Sequence, residues 1–159
     1  MAGFKRMTCV LVVDDDELIR SALRAILERK GFEVHEAKDG VDGLTQIRHR
    51  TIDLIFVDIF MPTMDGFEFI RALRKTHGTM PVIVMSGMGL CMPCLNGDSQ
   101  PPDYLRMARA LGAVHTLKKP FSPDELWFVV DACLPANDGG RSGPFVGAAR
   151  ELPACGACS

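Results

Sequence analysis

What this chain lacks bounds it first. No segment approaches the roughly 18 consecutive apolar residues of a membrane span, and the longest early apolar stretch, Cys9 to Val13, runs into Asp14-Asp15-Asp16. That stretch is too short for a signal-peptide core, so the cytoplasm is the expected compartment. No run of five basic residues occurs and the formal net charge is −2. Neither a nucleic-acid nor a membrane surface is therefore expected. No internal repeat is evident. Cysteine is not scarce, with six in the chain, and in a reducing compartment these are expected as thiols.

A hydrophobic share of 47% over 159 residues is enough for one domain with its own core. Five apolar runs stand out: Cys9–Val13, Phe32–Ala37, Leu54–Val57, Pro81–Met85 and Val114–Leu117. Several are rich in Val and Ile without polar alternation, as in parallel strands covered on both faces. Between them lie stripes at helical spacing, such as Ile19, Leu23, Ile26 and Leu27, or Phe67, Ile70 and Leu73. Asp65 with Glu68, and Ser122-Pro123-Asp124-Glu125, read as capping boxes; Gly31 and Gly78 read as helix C-caps. The repeated β-α order predicts an α/β fold, a (βα)5 doubly wound five-stranded parallel sheet of the flavodoxin-like type. The domain is expected over residues 8–134, after a short extension at 1–7. Two stretches break the rhythm: a polar, proline-bearing loop at 87–102, and residues 135–159, whose five Gly and three Pro suggest a flexible tail.

In such sheets the site lies at the carboxyl ends of the strands. Asp14-Asp15, Asp58, Ser86 and Lys118-Lys119 all fall there. Asp58 closes an apolar run and needs a partner. Three carboxylates together repel unless a cation intervenes, and hard oxygen ligands suit Mg²⁺ better than zinc. Asp58 can then act as a nucleophile forming an acyl phosphate. The metal and a lysine ammonium would offset charge on the phosphoryl group, and the Ser86 hydroxyl could donate to one of its oxygens. Asp16 reads as a helix cap, Lys118 as a solvated neighbour of an inward Lys119, and Asp14 with Asp15 has the plainer alternative of an N-cap pair. Trp127 is expected half-buried. The histidines His35, His49, His77 and His115 show no ligand spacing and are expected at the surface.

Four motifs in register, Val12-Val13-Asp14-Asp15-Asp16, Asp58 to Gly66, Val84-Met85-Ser86-Gly87 and Lys119-Pro120-Phe121, resemble those of the receiver domain of two-component response regulators. The resemblance implies that Asp58 is the phosphoacceptor and Asp15 a direct Mg²⁺ ligand. It also implies that Asp14 acts through water and that Phe60 lends its backbone carbonyl to the metal. Ser86 matches the switch hydroxyl and Lys119 the family lysine, with a cis Lys119-Pro120 bond. The implied partner is a sensor histidine kinase or a histidine phosphotransfer protein. Output would pass through the helix 4–strand 5–helix 5 face to another protein, a homodimer being allowed. The chain reads as a stand-alone receiver that catalyses only its own phosphorylation and dephosphorylation.

Two positions depart from the family pattern. Thr116 stands where an aromatic is usual, three before Lys119, and the loop after Ser86 is long, so this loop with Met88 and Met92 is expected to report the phosphorylation state. Phe60 and Met88 flank the route of an attacking water and cannot orient it, which predicts slow self-dephosphorylation. Three rivals stand beside the receiver reading. One is a phosphorylation-independent interaction module of the same architecture. A small phosphatase is disfavoured because Phe60 occupies the place of its second acid. The third is a redox or zinc-sensing variant using Cys91/Cys94 and Cys155/Cys158, while Cys9 and Cys133 read as small core hydrophobes.

Overall fold

The computed structural model describes residues 6–87 and 104–134. Its elements, in chain order, are β1 (Cys9–Val13), α1 (Glu17–Glu28), β2 (Glu33–Ala37), α2 (Gly40–His49), β3 (Leu54–Asp58), α3 (Gly66–Thr76), β4 (Val82–Ser86), α4 (Tyr104–Ala110), β5 (His115–Lys118) and α5 (Pro123–Cys133). The sheet is parallel throughout, in the order β2-β1-β3-β4-β5. The order reverses between β1 and β3, so the crevice at their carboxyl ends is where a ligand is expected in this architecture.

Alternation along the central strands builds two cores. Leu11, Val13, Ile55, Val57, Val82 and Val84 face α2, α3 and α4, meeting Ile47, Phe69, Ile70, Leu73 and Ala108. Val10, Val12, Leu54, Phe56, Ile83 and Met85 face α1 and α5, meeting Leu23, Leu27, Leu126, Val129 and Val130. Phe56 and Phe69 are among the largest side chains fully out of water, each worth about 1.5–3 kcal/mol by area. Trp127 packs half-buried on the second core, stacked on Phe32 with ring centroids 6.1 Å apart.

The strand expectations need small corrections. β3 runs on to Asp58 and β4 runs from Val82 to Ser86, both entirely buried; β5 runs from His115 to Lys118. The polar end residues belong to the ladder because neighbouring backbone claims their hydrogen bonds, as Ile59 N–H donates to Met85 C=O at 3.1 Å. β2 starts at Glu33, one residue late, and as an edge strand it leaves Glu33 exposed.

Helix starts agree with the sequence. Asp16 caps α1, and both capping boxes form, Asp65 with Glu68 and Ser122 with Glu125, Pro123 opening α5. Gly31 takes the left-handed conformation of a C-cap, φ 82. Gly78 does not. The carbonyls at that helix end are instead gathered by Arg74, whose guanidinium donates to His77 O at 3.3 Å, Gly78 O at 3.1 Å, Met80 O at 2.7 Å and Gly112 O at 2.5 Å. A side chain at Gly112 (φ 93) would meet Arg74 Nε at 2.9 Å, so glycine is needed there for both conformation and space. Arg74→Met would keep the stem but orphan these carbonyls. It is expected to lower stability by about 2–4 kcal/mol, measured by urea unfolding; an unchanged midpoint would show the carbonyls are satisfied without Arg74.

Candidate functional site

The parallel register brings the polar strand ends to one rim. Asp14 follows β1 directly and Asp58 ends β3. Ser86 stands one residue beyond Met85, the partner of Asp58, and itself pairs with Lys118. Lys119 comes next, its N–H donating to Ser86 C=O at 2.7 Å, before the cis Lys119-Pro120 bond. Asp14, Asp58 and Ser86 are the buried polar residues among those described.

Lys119 Nζ lies 2.6 Å from Asp14 Oδ2 and 3.2 Å from Asp58 Oδ1, while Lys118 is exposed. Asp14 is fixed further by its Oδ1, which accepts the Asp16 N–H at 2.9 Å. Asp15 is exposed, yet it offers a carboxylate oxygen within 4.8 Å of those of Asp14 and Asp58. The plain N-cap reading of Asp14 and Asp15 therefore fails, since the cap of α1 is Asp16.

The charges do not balance. Three carboxylates and one ammonium, all ionised, carry −2 in a largely buried corner. Burial pushes the Asp58 carboxyl up to about 6; Lys119 opposes this, and the charges of Asp14 and Asp15 add to it. Burial pulls the Lys119 ammonium down, but its hydrogen bond to Asp14 and the charge of Asp58 outweigh burial and leave it raised. A divalent ion bound by oxygen would cancel the remaining charge. Asp14, Asp15 and Asp58 fit that role in donor type and spacing.

The segment after Asp58 is tightly shaped. A Cβ at Gly66 would fall onto the Asp58 carbonyl oxygen, so glycine lets α3 start against the Asp58 backbone. Thr63 holds φ 73 at the centre of a three-residue turn closed by Met64 N–H to Pro62 C=O at 2.9 Å, a strained form. Phe60 is 46% exposed. It meets Tyr104 edge-on at 5.3 Å, and Tyr104 also stacks on Phe67 at 6.1 Å. This aromatic trio links the segment after Asp58 to α4, and spacing gave no sign of it because Tyr104 lies far along the chain.

Thr116 is half-buried and accepts from Arg109 at 3.5 Å. Residues 88–102 of the long loop, with Met88, Met92, Cys91 and Cys94, lie outside the described residues, as do residues 1–5 and the tail at 135–159 with Cys155 and Cys158. The histidine expectation needs correction. His35 is only 16% exposed in its side chain and pairs with Glu33 at 3.1 Å, and its neighbours include the Cys9 thiol. Parallel pairing of two strands, invisible to spacing along one, brings them together.

A carboxyl whose folded value exceeds 3.8 binds protons more tightly when folded, so its contribution is fully present in acid and lost as pH rises to about 6. In chelator above that pH, Asp58→Asn is expected to be more stable than wild type, by up to about 3 kcal/mol, since Lys119 keeps Asp14. Thermal melts check this, and Mg²⁺ should raise the wild type more than the variant. A variant less stable than wild type in chelator would mean that Asp58 is fully compensated by Lys119 alone.

The response regulator receiver domain family matches over residues 10–131. The response regulator MprA of Mycobacterium sp. (strain KMS) is 35% identical over 121 residues, 73% of this chain and 53% of that protein. MprA of Mycobacterium leprae (strain TN) is 32% identical over 126 residues, 79% of this chain and 50% of that one. The chain thus spans about half the length of the curated relatives it matches. Among solved structures, chemotaxis protein CheY4 of Vibrio cholerae superposes with a TM-score of 0.69 at 30% identity, covering 81% of this chain and 100% of that one. The receiver domain of NtrX from Brucella abortus gives a TM-score of 0.69 at 30% identity, with 80% and 99% covered.

Proposed function

The chain belongs to the response regulator receiver domain family, and on that premise we propose that Asp58 accepts a phosphoryl group in a Mg²⁺-dependent reaction that switches protein contacts. The observation that carries this is Lys119 Nζ set between Asp14 and Asp58 at 2.6 and 3.2 Å, with Asp15 beside them. An inert module has no use for a costly buried carboxylate pair.

Asp58 acts as its carboxylate: an Oδ attacks phosphorus, the O–P bond forms and the bond to the donor nitrogen of a phosphohistidine breaks. That donor would be a sensor histidine kinase or a histidine phosphotransfer protein. Lys119, already charged and aimed at Asp58, neutralises the incoming phosphoryl oxygens. Ser86, at the end of the adjoining strand, is within the same rim and supplies a hydroxyl to them. When bound, Mg²⁺ would be held by Asp14, Asp15, Asp58 and the Phe60 carbonyl, and would offset the charge of the transferring group. The phosphoryl then biases a two-state equilibrium by its differential contacts. Output is through the α4–β5–α5 face, where Met107, Val114 and Phe128 are exposed, onto another protein or a further domain. The chain acts on no other substrate.

Incubation with acetyl phosphate and Mg²⁺, followed by intact mass, is expected to add one phosphoryl group to wild type and none to Asp58→Asn. Addition retained in Asp58→Asn would move the acceptor elsewhere; steady turnover of acetyl phosphate without accumulation would favour a phosphatase. Phe60 offers an attacking water no hydrogen bond, so the phosphoryl group is expected to persist for minutes after the donor is removed. Loss within seconds would contradict the assignment of Phe60.

A further inference from the structure

At the end of the sheet remote from Asp58, β1 and the edge strand β2 begin side by side. The register sets Cys9 beside Glu33 and Leu11 beside His35. Alternate residues of a strand share a face, so Cys9, Glu33 and His35 project together. Cys9 Sγ lies 3.4 Å from Glu33 Oε2, and His35 Nε2 lies 3.1 Å from Glu33 Oε1. All three residues offer a ligand atom within 4.8 Å of the others. Around a tetrahedral ion with bonds of about 2.0 Å to nitrogen and oxygen and about 2.3 Å to sulfur, neighbouring ligand atoms stand roughly 3.3–3.5 Å apart. The two spacings to Glu33, one to each of its carboxylate oxygens, are near that size, and the sulfur and imidazole nitrogen lie within 4.8 Å of each other.

The surroundings suit an ion as well. A thiolate, a carboxylate and a neutral imidazole carry −2, which a divalent cation cancels. The adjoining charges are already paired with each other, Arg6 to Asp53 at 2.5 Å. Asp53 also accepts the Cys9 N–H at 2.8 Å, which fixes the cysteine backbone. Cys9 is buried, whereas the Glu33 side chain is 49% exposed, leaving one side open for water as a fourth ligand. The donor set is sulfur, nitrogen and oxygen, unlike the all-oxygen cluster of Asp14, Asp15 and Asp58. Ligand softness would therefore separate the two sites, a zinc-like ion at one end of the sheet and Mg²⁺ at the other.

We propose that Cys9, Glu33 and His35 form a second metal site, for a thiophilic divalent ion such as zinc, that staples β1 to the sheet edge. As the sulfur–metal bond forms, the thiol proton, now shared with Glu33, leaves to solvent. The site is independent of the phosphoacceptor chemistry.

The test is Co²⁺ titration of the full chain carrying Cys91→Ser, Cys94→Ser, Cys155→Ser and Cys158→Ser, read by thiolate-to-cobalt charge-transfer absorbance. Saturation at one ion per chain, displacement by Zn²⁺ and an unchanged signal with added Asp58→Asn are expected. Adding Cys9→Ser should abolish the band. Adding His35→Gln should weaken binding by at least about tenfold, since even an outer-shell change costs about 10–100-fold. Absence of the band in the four-serine chain, or its survival with Cys9→Ser, would overturn the site. If Cys9→Ser fails to fold by circular dichroism, His35→Gln decides: unaltered cobalt affinity there refutes the proposal.

Discussion

One ammonium shared by two buried carboxylates governs this molecule. Lys119 reaches Asp14 and Asp58 from the far side of the crevice, and a third carboxylate, Asp15, stands close by. Lys119 cannot neutralise all three. Burial, with the charges of Asp14 and Asp15 added, raises the Asp58 carboxyl towards neutrality, and the uncancelled charge is the reason a hard divalent cation fits the corner. A carboxylate so placed is poised rather than stable: a bound cation would favour its anion, the form that the proposed attack on phosphorus requires.

The sheet exists to hold that arrangement. Strands β1, β3 and β4 are buried from end to end, so their carboxyl ends have little freedom, and side chains issuing from them are placed by packing rather than by local contacts. Gly66 tightens the arrangement by bringing α3 against the Asp58 backbone. Arg74 does the same at the opposite end, collecting carbonyls from the α3 terminus, the start of β4 and the α4–β5 turn. The aromatic trio of Phe60, Tyr104 and Phe67 joins the segment after Asp58 to α4.

Much of this was legible in the chain. Uninterrupted Val and Ile runs mark buried parallel strands, and the capping residues Asp16, Asp65 and Ser122 mark helix starts because the chemistry is local. Asp14, Asp15, Asp58 and Lys119 could be grouped because strand-end convergence is a rule of open parallel sheets. What depended on lateral register or on remote contacts was not legible. Gly78 looked like a cap, but Arg74 satisfies that helix end through four carbonyls spread over the fold. His35 looked solitary, and only pairing with β1 places it beside Cys9. Tyr104 gave no signal at all, since ring contacts carry no sequence spacing.

The most direct measurement is an NMR pH titration of the Asp58 side-chain carboxyl carbon, in chelator, in saturating Mg²⁺ and in Lys119→Met. The expected midpoint in chelator is about 6, falling into the ordinary carboxylate range with Mg²⁺ and rising further when Lys119 loses its charge. A midpoint near the ordinary 3.8 that neither Mg²⁺ nor Lys119→Met moves would contradict the electrostatic arrangement outright.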